Sequence, residues 1–282
     1  MVQRAGKLAV VATPRIIKPD EERLYTFYLR LRADAILVRS AGFLQQLNNL
    51  GGPGALVPRT DNVYIPELRG DFSLNAANVL SASLLLHAGL SRLTPTHDLD
   101  ALQIADLAKA VGPSKLEVIV YQHLPIFHTE HCVFCKFLSN GQNFRDCGHP
   151  CETNAVHLRG MDGADNLVLA DQGCRNTVFN AQAQVGAEFM PQFLQSGIRR
   201  FRLEFVDEPP QVVPPLLSKF RDVALGRPQA AAALEAFIAS QVKDSNGRAQ
   251  GFTPGSLKPT VELGRSKLKT TAAERRAKAA GK

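Results

Sequence analysis

One stretch of the sequence, HTEHCVFCKFLSNGQNFRDCGHPCE at residues 128–152, contains four of the five cysteines and three of the seven histidines. The four cysteines are Cys132, Cys135, Cys147 and Cys151, and the fifth, Cys174, follows after a further 22 residues. This concentration in a chain of 282 residues is not typical of cysteines that only fill a core. It predicts a site that uses several thiols.

Three interpretations of these thiols differ in their chemistry. A disulfide framework fits poorly, because the number of cysteines is odd and no secretion signal precedes them. The spacing leaves zinc and an iron–sulfur cluster equally open, with His128, His131 and His149 available to zinc. A reduced cluster of cysteines without a metal is the remaining alternative. HTEH lacks the two-residue separation of the HExxH zinc-protease motif, and crowded cysteines do not resemble a Cys–His nucleophile.

Strand-like apolar runs alternate with segments of helical spacing between residues 8 and 225. Strands are predicted at 8–14, 33–40, 63–74, 90–98, 115–125, 165–171 and 199–207, and a helix over roughly 176–196. Strands separated by helices favour parallel pairing with right-handed crossovers. We therefore expect an α/β fold of the TIM-barrel type, closed or incomplete, with a doubly wound sheet as the alternative.

Chemistry in such folds belongs at the carboxyl ends of the strands. Several polar residues fall there, and we predict catalytic roles for Asp71, His97 and His123. Substrate-binding roles are predicted for Arg39, Asn75, Arg175 and Glu204. Structural alternatives stay open: Asn75 or Asp98 can cap a helix, Arg175 can form a salt bridge, and Glu204 on an apolar strand requires either a partner or a site.

The net charge of +7 is concentrated at the end of the chain, where residues 243–282 carry ten Lys/Arg and three Asp/Glu. This segment has little apolar pattern, so we expect a domain over 1–242 and a basic, disordered tail over 243–282. The tail can attract RNA or serve only solubility. No apolar run reaches the ~18 residues of a membrane span, and the N-terminus lacks a signal layout. An intracellular location, in the cytoplasm or an organelle, is expected.

The segments EVIVYQHLPIFHTEHCVFCKFLS, DCGHPCE and LADQGCRN resemble the signature region of peptidase family U32, the collagenase-like peptidases. The upstream segment DFSLNAANVLSASLLLHAGLSRLT is similar to the preceding part of that family. The resemblance covers residues 8 to about 225. It implies a barrel-like domain with a cysteine-rich metal-binding insertion at 132–174.

Some relatives in this family are named for peptidase activity, whereas others act in hydroxylation of cytidine or uridine in RNA, or of ubiquinone. In the latter, cysteines hold an iron–sulfur cluster, commonly of the 4Fe–4S type. Carried over by position, the resemblance implies Cys132, Cys147, Cys151 and Cys174 as ligands, with Cys135 as a possible substitute. Pro125 stands where many members have a further cysteine.

The resemblance leads to a functional hypothesis. We expect an iron–sulfur-dependent enzyme of RNA nucleobase hydroxylation, with ribosomal or transfer RNA as substrate and with an electron or oxygen donor as partner. The alternatives are a collagenase-like metal-dependent peptidase, with zinc as the alternative metal, and a non-catalytic, metal-stabilised RNA-binding module.

Overall fold

The structure, a computed structural model, describes residues 1–18, 21, 23–243, 247 and 249–259. These residues form two compact units that alternate along the chain. The first comprises residues 1–118, 191–201 and the described residues from 256, and the second comprises 119–190 and 202–255. The division into a domain and a tail at 242/243 stays a prediction.

The first unit is built on a parallel sheet. Up to residue 111 its elements are β1 (Val10–Ala12), α1 (Arg23–Arg30), β2 (Ala35–Val38), α2 (Ala41–Asn49), β3 (Leu56–Val57), β4 (Val63–Tyr64), β5 (Glu67–Gly70), α3 (Val79–His87), β6 (Arg92–Leu93) and α4 (Ala101–Val111). Within the described residues, the parallel strands have the order β1-β2-β5-β6, and β3 pairs with β4. The predicted α/β alternation with parallel pairing is confirmed for this sheet.

Local sequence explains where these elements begin. β2 is apolar throughout, and Ala35, Ile36 and Val38 are all buried, as expected for an inner parallel strand. The N-cap residue of α4 is Asp100, whose side chain accepts a hydrogen bond from the backbone N–H of Gln103 at 2.9 Å. Asp98, the alternative cap considered from the sequence, is therefore not the N-cap residue.

From residue 118 onward, strands predominate. The elements are β7 (Val118–Thr129), α5 (Val133–Leu138), β8 (Val156–Arg159), β9 (Asp165–Ala170), β10 (Asn176–Val185), α6 (Met190–Gln195), β11 (Phe201–Leu203), α7 (Val213–Ala224), α8 (Ala230–Gln241) and β12 (Phe252–Thr253). In the described residues one sheet has the order β11-β7-β10-β9-β8, with β12 beside β10.

Two predictions for this second sheet are wrong. The helix expected over 176–196 is instead β10, followed only later by the short α6. Parallel pairing was expected, but β7 with β10, β10 with β9 and β9 with β8 are antiparallel pairs. The reason is that β8 and β9 are joined by a tight turn at residues 160–164 and form a hairpin, which no helix separates.

The pairing of β7 with β10 is interrupted in the middle. Pro125 lies opposite Phe179 and His123 lies opposite Ala183, so β10 carries extra residues between these two pairs. A proline has no backbone N–H to donate to a ladder, and such positions in strands occur at bulges or edges. The bulge divides β7 into a buried first part and a more exposed second part that leads to the cysteines.

An apolar cluster attaches the cysteine segment to this sheet. Phe134 of α5 packs with Val168 of β9 and Val178 of β10, and all three are buried. Cys132 and Val133 pack against the same cluster. The first turn of α5 is thereby held against the strands, and the position of Cys132 is defined by core packing.

Three wider predictions concern the whole chain. Closure of the strands into a barrel stays a prediction. Within the stretch predicted as a tail, residues 252–253 form β12, whereas residues 260–282 lie outside the described residues. None of the helices in the described part of the chain has the length and apolar character of a membrane-spanning segment.

Candidate metal centre

All five cysteines are free thiols and belong to the second unit. Cys132 is the N-cap residue of α5, and Cys135 lies one turn later. The Sγ of Cys132 accepts hydrogen bonds from the backbone N–H of Cys135 at 3.4 Å and from Nδ2 of Asn176 at 3.8 Å. Hydrogen bonds to a sulfur stabilise its thiolate form, which is the form that binds metals.

A close approach between two backbone segments shapes the loop after α5. The Sγ of Cys135 donates to the carbonyl of Gly141 at 3.4 Å. A Cβ added at Gly141 would lie 2.6 Å from the backbone carbonyl of Asp146 and from Cα of Cys147. Only glycine fits there without movement, so Gly141 fixes the path of the chain into Cys147.

Replacing Gly141 with alanine is expected to lower the free energy of unfolding by about 1–3 kcal/mol, because the 146–147 backbone must move to admit the methyl group. Gly42→Ala is a suitable control, since its added Cβ would meet only Ser40 Oγ at 3.7 Å and lies within a helix. Urea unfolding of both variants measures the difference. Equal stability of the two would contradict the close approach.

The two remaining segments position their cysteines by unusual backbone geometry. Cys151 is exposed and lies in a 3-10 turn, Pro150–Glu152, that follows the left-handed His149. Cys174 itself has a φ of 59°, next to Gly173 at 79°. A non-glycine residue in the left-handed region is strained and persists only where its surroundings hold it. The turn at 173–174 therefore holds the Cys174 thiol in a direction that an extended chain would not give.

The charges of the other cysteines affect the pKa of two of the thiols, Cys174 and Cys151. Burial raises the pKa of Cys174, and the charges of Cys132 and Cys147 raise it further, followed by those of Cys151 and Cys135. The pKa of Cys151 is likewise raised, first by burial and then by Cys132, Glu152 and Cys147. Within the described residues, however, no three His, Cys, Asp or Glu side chains are arranged to hold a single metal ion.

A cleft of about 450 Å³ opens beside these thiols. Cys132, Cys135 and Cys174 line it, together with Lys136 and the exposed Phe144. Cys147 and Cys151 do not line the cleft. The cleft thus combines thiols, a cation and an aromatic ring.

Arg175 supports the turn that carries Cys174. Its side chain is 2% exposed, and its Nε donates to Oε1 of Glu130 at 2.7 Å. A Cβ at Gly173 would lie 3.0 Å from Nη1 of Arg175, so the guanidinium packs directly on the turn. The salt-bridge alternative considered from the sequence is observed, and the predicted substrate-binding role stays a prediction.

His123 lies in a buried network that sequence reasoning missed. Its Nδ1 lies 2.8 Å from the carbonyl of Asn180, and its Nε2 lies 3.1 Å from Oε1 of Glu208. Since both neighbours are acceptors, the geometry favours the positively charged imidazole, which carries hydrogen on both ring nitrogens. Tyr121 donates to the same Glu208 oxygen at 2.7 Å.

The pKa shifts of this network agree with its geometry. Burial disfavours the charged form of His123, but the hydrogen bond to Glu208 and the Glu208 charge outweigh it and raise the pKa of His123. Burial likewise disfavours ionised Glu208, and hydrogen bonds from His123 and Tyr121 nevertheless lower the pKa of Glu208. The only available sequence signal for Glu208 was its place shortly after a predicted strand.

In the first unit, the predicted site residues occur in two contacts. Arg39 Nε lies 3.0 Å from Oδ2 of the buried Asp71. The ring of His97 stacks on that of Phe72, with 3.8 Å between the centroids. Asn75 adopts the left-handed conformation and ends the 3-10 turn that follows Asp71, which matches its capping alternative.

Glu204 directly follows β11 and pairs with a residue of that strand, Arg202. Its Oε1 lies 3.0 Å from Nη2 of Arg202, so the partner that an acid on an apolar strand requires is present. The structure thus places Arg39, Asp71, Asn75 and His97 in the first unit, and His123, Arg175, Glu204 and the cysteines in the second.

Comparison with known proteins identifies the family. The model of peptidase family U32 matches residues 57–234, which is more than half of the chain. The chain therefore belongs to peptidase family U32, as its cysteine motifs predicted. Curated proteins and solved structures give no match.

Proposed function

We propose that this chain is an iron–sulfur enzyme of family U32 that takes part in hydroxylation of a cytidine or uridine base in RNA. The observation that carries the proposal is that the second unit holds five free thiols on three separate segments, and that three of them, Cys132, Cys135 and Cys174, line one cleft. Cys132, Cys147, Cys151 and Cys174 are the proposed ligands, with Cys135 as a substitute.

The family resemblance, and not the thiol geometry, favours a cluster over a single ion. Four thiolates around one zinc lie about 3.8 Å apart, because Zn–S bonds are about 2.3 Å in a tetrahedron. No such set for a single ion occurs in the part of the chain that the structure describes. A cluster of several irons is likewise held by thiolates, usually four of them.

Once bound, such a cluster would supply one-electron transfer. The chain's own residues would tune and orient it. The Asn176 amide and the Cys135 N–H donate to the Cys132 sulfur, and hydrogen bonds to sulfur are one determinant of cluster potential. Arg175 would keep the Cys174 turn in place through its contact with Gly173.

RNA as the substrate rests on the family resemblance and on the character of the cleft. Sequence-specific proteins stack unpaired bases on aromatic side chains, and Phe144 is an exposed aromatic ring at the cleft, with Lys136 as a nearby cation for phosphate. Replacing a ring C–H with C–OH takes one oxygen atom from a donor and is a two-electron oxidation. A separate oxygen donor and an electron partner therefore form part of the proposal.

The first test is metal analysis of the full chain purified without oxygen. About four irons with matching sulfide and a broad absorbance band near ~400 nm are expected. Cys147→Ala/Cys151→Ala should lose both the iron and the band, whereas Arg227→Ala, a change at an exposed residue, should keep them. One zinc per chain and no colour would contradict the proposal. Nucleoside analysis of RNA from cells with and without the protein then tests the hydroxylation itself.

A second candidate is a metal-dependent peptidase, which the family name favours. Asp71 is its proposed acid, although it is buried and ion-paired with Arg39. Proteolysis that survives repurification and is lost in Asp71→Asn would favour this candidate. RNA binding that persists after metal removal, without modification, would instead favour a non-catalytic module.

A further inference from the structure

The carboxyl ends of three parallel strands place three polar residues side by side in the first unit. Val38 of β2 pairs with Gly70 of β5, and Gly70 pairs with Leu93 of β6. The next residue on each strand is Arg39, Asp71 and Thr94, respectively. Neighbouring strands lie about 4.8 Å apart, so the three residues form a row along one edge of the sheet.

Hydrogen bonds hold this row in register. The N–H of Asp71 donates to the carbonyl of Val38 at 2.9 Å, and the N–H of Thr94 donates to that of Gly70 at 2.9 Å. The backbone of Arg39 is held on both sides, since its N–H donates to Oγ1 of Thr13 at 3.0 Å and its carbonyl accepts from Ser73 at 2.8 Å.

The guanidinium of Arg39 is held close to Asp71, but its hydrogen-bonding capacity is not filled. Its Nε lies 3.0 Å from Oδ2 of Asp71, yet this buried N–H makes no hydrogen bond there. Its terminal nitrogens form no hydrogen bond with the described residues. Asp71 is 2% exposed and balances the charge of Arg39 from one side. The forked end of Arg39 is thus left for a further acceptor.

Thr94 gives a second, independent observation. Its side chain is 3% exposed, and its Oγ1 has no hydrogen-bond partner in the described part of the chain. Buried hydroxyl groups are nearly always hydrogen-bonded in folded proteins. A donor without a partner at the strand end therefore points to an acceptor that is not part of this chain.

A second guanidinium lies near the same edge. Phe72 directly follows Asp71, and Arg15 lies over its ring with Cζ 4.8 Å from the centroid. The other polar side chains at this edge are Thr13, Thr96, His97 and Asp98, of which Asp98 accepts a hydrogen bond from Thr96. Arg15 and Arg39 bring two positive charges to this edge, and Asp71 and Asp98 bring two negative ones, so the unsatisfied donors of Arg39 and Thr94, and not the net charge, favour an anion.

We propose that Arg39 and Thr94 form an oxyanion-binding site at the carboxyl edge of the sheet, in which the terminal nitrogens of Arg39 bind two oxygens and the Thr94 hydroxyl donates to the same group. Planar oxyanions and phosphates match the geometry of a guanidinium. The ligand is a phosphate ester or a carboxylate. No cysteine takes part, so the site is independent of the iron–sulfur proposal.

The test is calorimetric titration of the full chain, at constant ionic strength, with inorganic phosphate, cytidine 5′-monophosphate and glutarate. Saturable binding of at least one anion is expected. The strongest ligand identifies the source: the phosphates indicate a phosphate ester, and glutarate indicates a carboxylate. Thr94→Val, which keeps the shape and removes only the hydroxyl, should weaken binding about tenfold, and Arg39→Lys, which keeps the charge opposite Asp71, by about tenfold or more.

Arg92→Lys is the control, because Arg92 is an ion-paired arginine of the same sheet that contacts Glu67 at 2.7 Å. It should bind the anion as the unchanged protein does. Circular dichroism of each variant verifies that it is folded. Absence of saturable binding by any of the three anions would overturn the proposal. So would equal affinity of Thr94→Val and the unchanged protein, or an equal loss in Arg92→Lys.

Discussion

Replacing Glu208 with alanine is expected to lower the free energy of unfolding by about 3–5 kcal/mol, because the buried, charged imidazole of His123 loses its partner. Glu208 is 1% exposed on its side chain and receives hydrogen bonds from His123, Tyr121 and the backbone N–H of Val206. Asp106→Ala is the matched control, since it breaks an ion pair with Lys109 that is mostly exposed. Exposed pairs contribute about 0–1 kcal/mol.

The dependence of this effect on pH follows from the two pKa shifts. The raised pKa of His123 contributes stability that is complete below its ordinary value of 6.5 and is lost as the pH rises through the folded value. The lowered pKa of Glu208 contributes stability that is complete above 4.5 and is lost as the pH falls through the folded value. Both residues therefore contribute their full stabilisation between pH 4.5 and pH 6.5.

Urea unfolding across this pH range measures the effect. The difference between the unchanged protein and Glu208→Ala should be largest between pH 4.5 and 6.5. Glu208→Gln, which keeps the size of the side chain, should lower the pKa of His123 in an NMR titration. A stability difference below that of the Asp106 control, or an unchanged His123 titration, would show that the pair is not formed.

The second large effect is expected for Arg175→Ala. Among the described residues that are fully buried, Arg175 has the largest side chain. Truncation removes its ion pair with Glu130 as well as its packing on Gly173. We expect a loss of about 2–5 kcal/mol, the range measured when large buried side chains are truncated. The strained turn at Cys174 should relax at the same time.

Arg227→Ala provides the comparison, because Arg227 also forms an arginine–carboxylate pair, with Asp222 at 2.6 Å, but is 61% exposed. Loss of this exposed ion pair should lower the free energy of unfolding by less than about 1 kcal/mol. Thermal unfolding of both variants measures the contrast, and iron content of the anaerobic protein reports on the turn. If both variants lose similarly little free energy of unfolding, Arg175 only shields apolar surface.

The parallel half of the fold could be predicted because its signals are local. β2 is apolar along its whole length, and Gly89, with a φ of 101°, lies just after the end of α3. Asp100 and Gln103 lie close together in sequence and form a capping box. Such patterns need no information from distant parts of the chain.

The antiparallel half could not be predicted in the same way. The segment from Asn176 to Val185 contains Ala and Gln, which favour helices, but the strands on both sides of it determine its conformation. Strand preference depends on neighbours more than on the residues themselves. The helix prediction failed because these pairing partners, of which β9 is close in sequence and β7 is tens of residues away, are not visible in the composition of the segment itself.

The residues of the candidate site also divide into those with a local sequence signal and those without one. The cysteines could be found because four of them lie in one short stretch. Glu208, in contrast, is separated from Tyr121 by 87 residues and from His123 by 85, and nothing near it in sequence indicates its partners. Thr94 was missed because a lone threonine after a strand carries no pattern.

The break in pairing at Pro125 has a consequence for how the protein opens. Because the ladder between β7 and β10 is interrupted there, its two parts can separate at different free energies, as cooperative units of a native protein do. The part beginning at Tyr121 is buried, whereas the part ending at Thr129 is more exposed. Amide hydrogen exchange next to the cysteines can then proceed by a local fluctuation, so exchange of whatever the thiols bind need not await global unfolding.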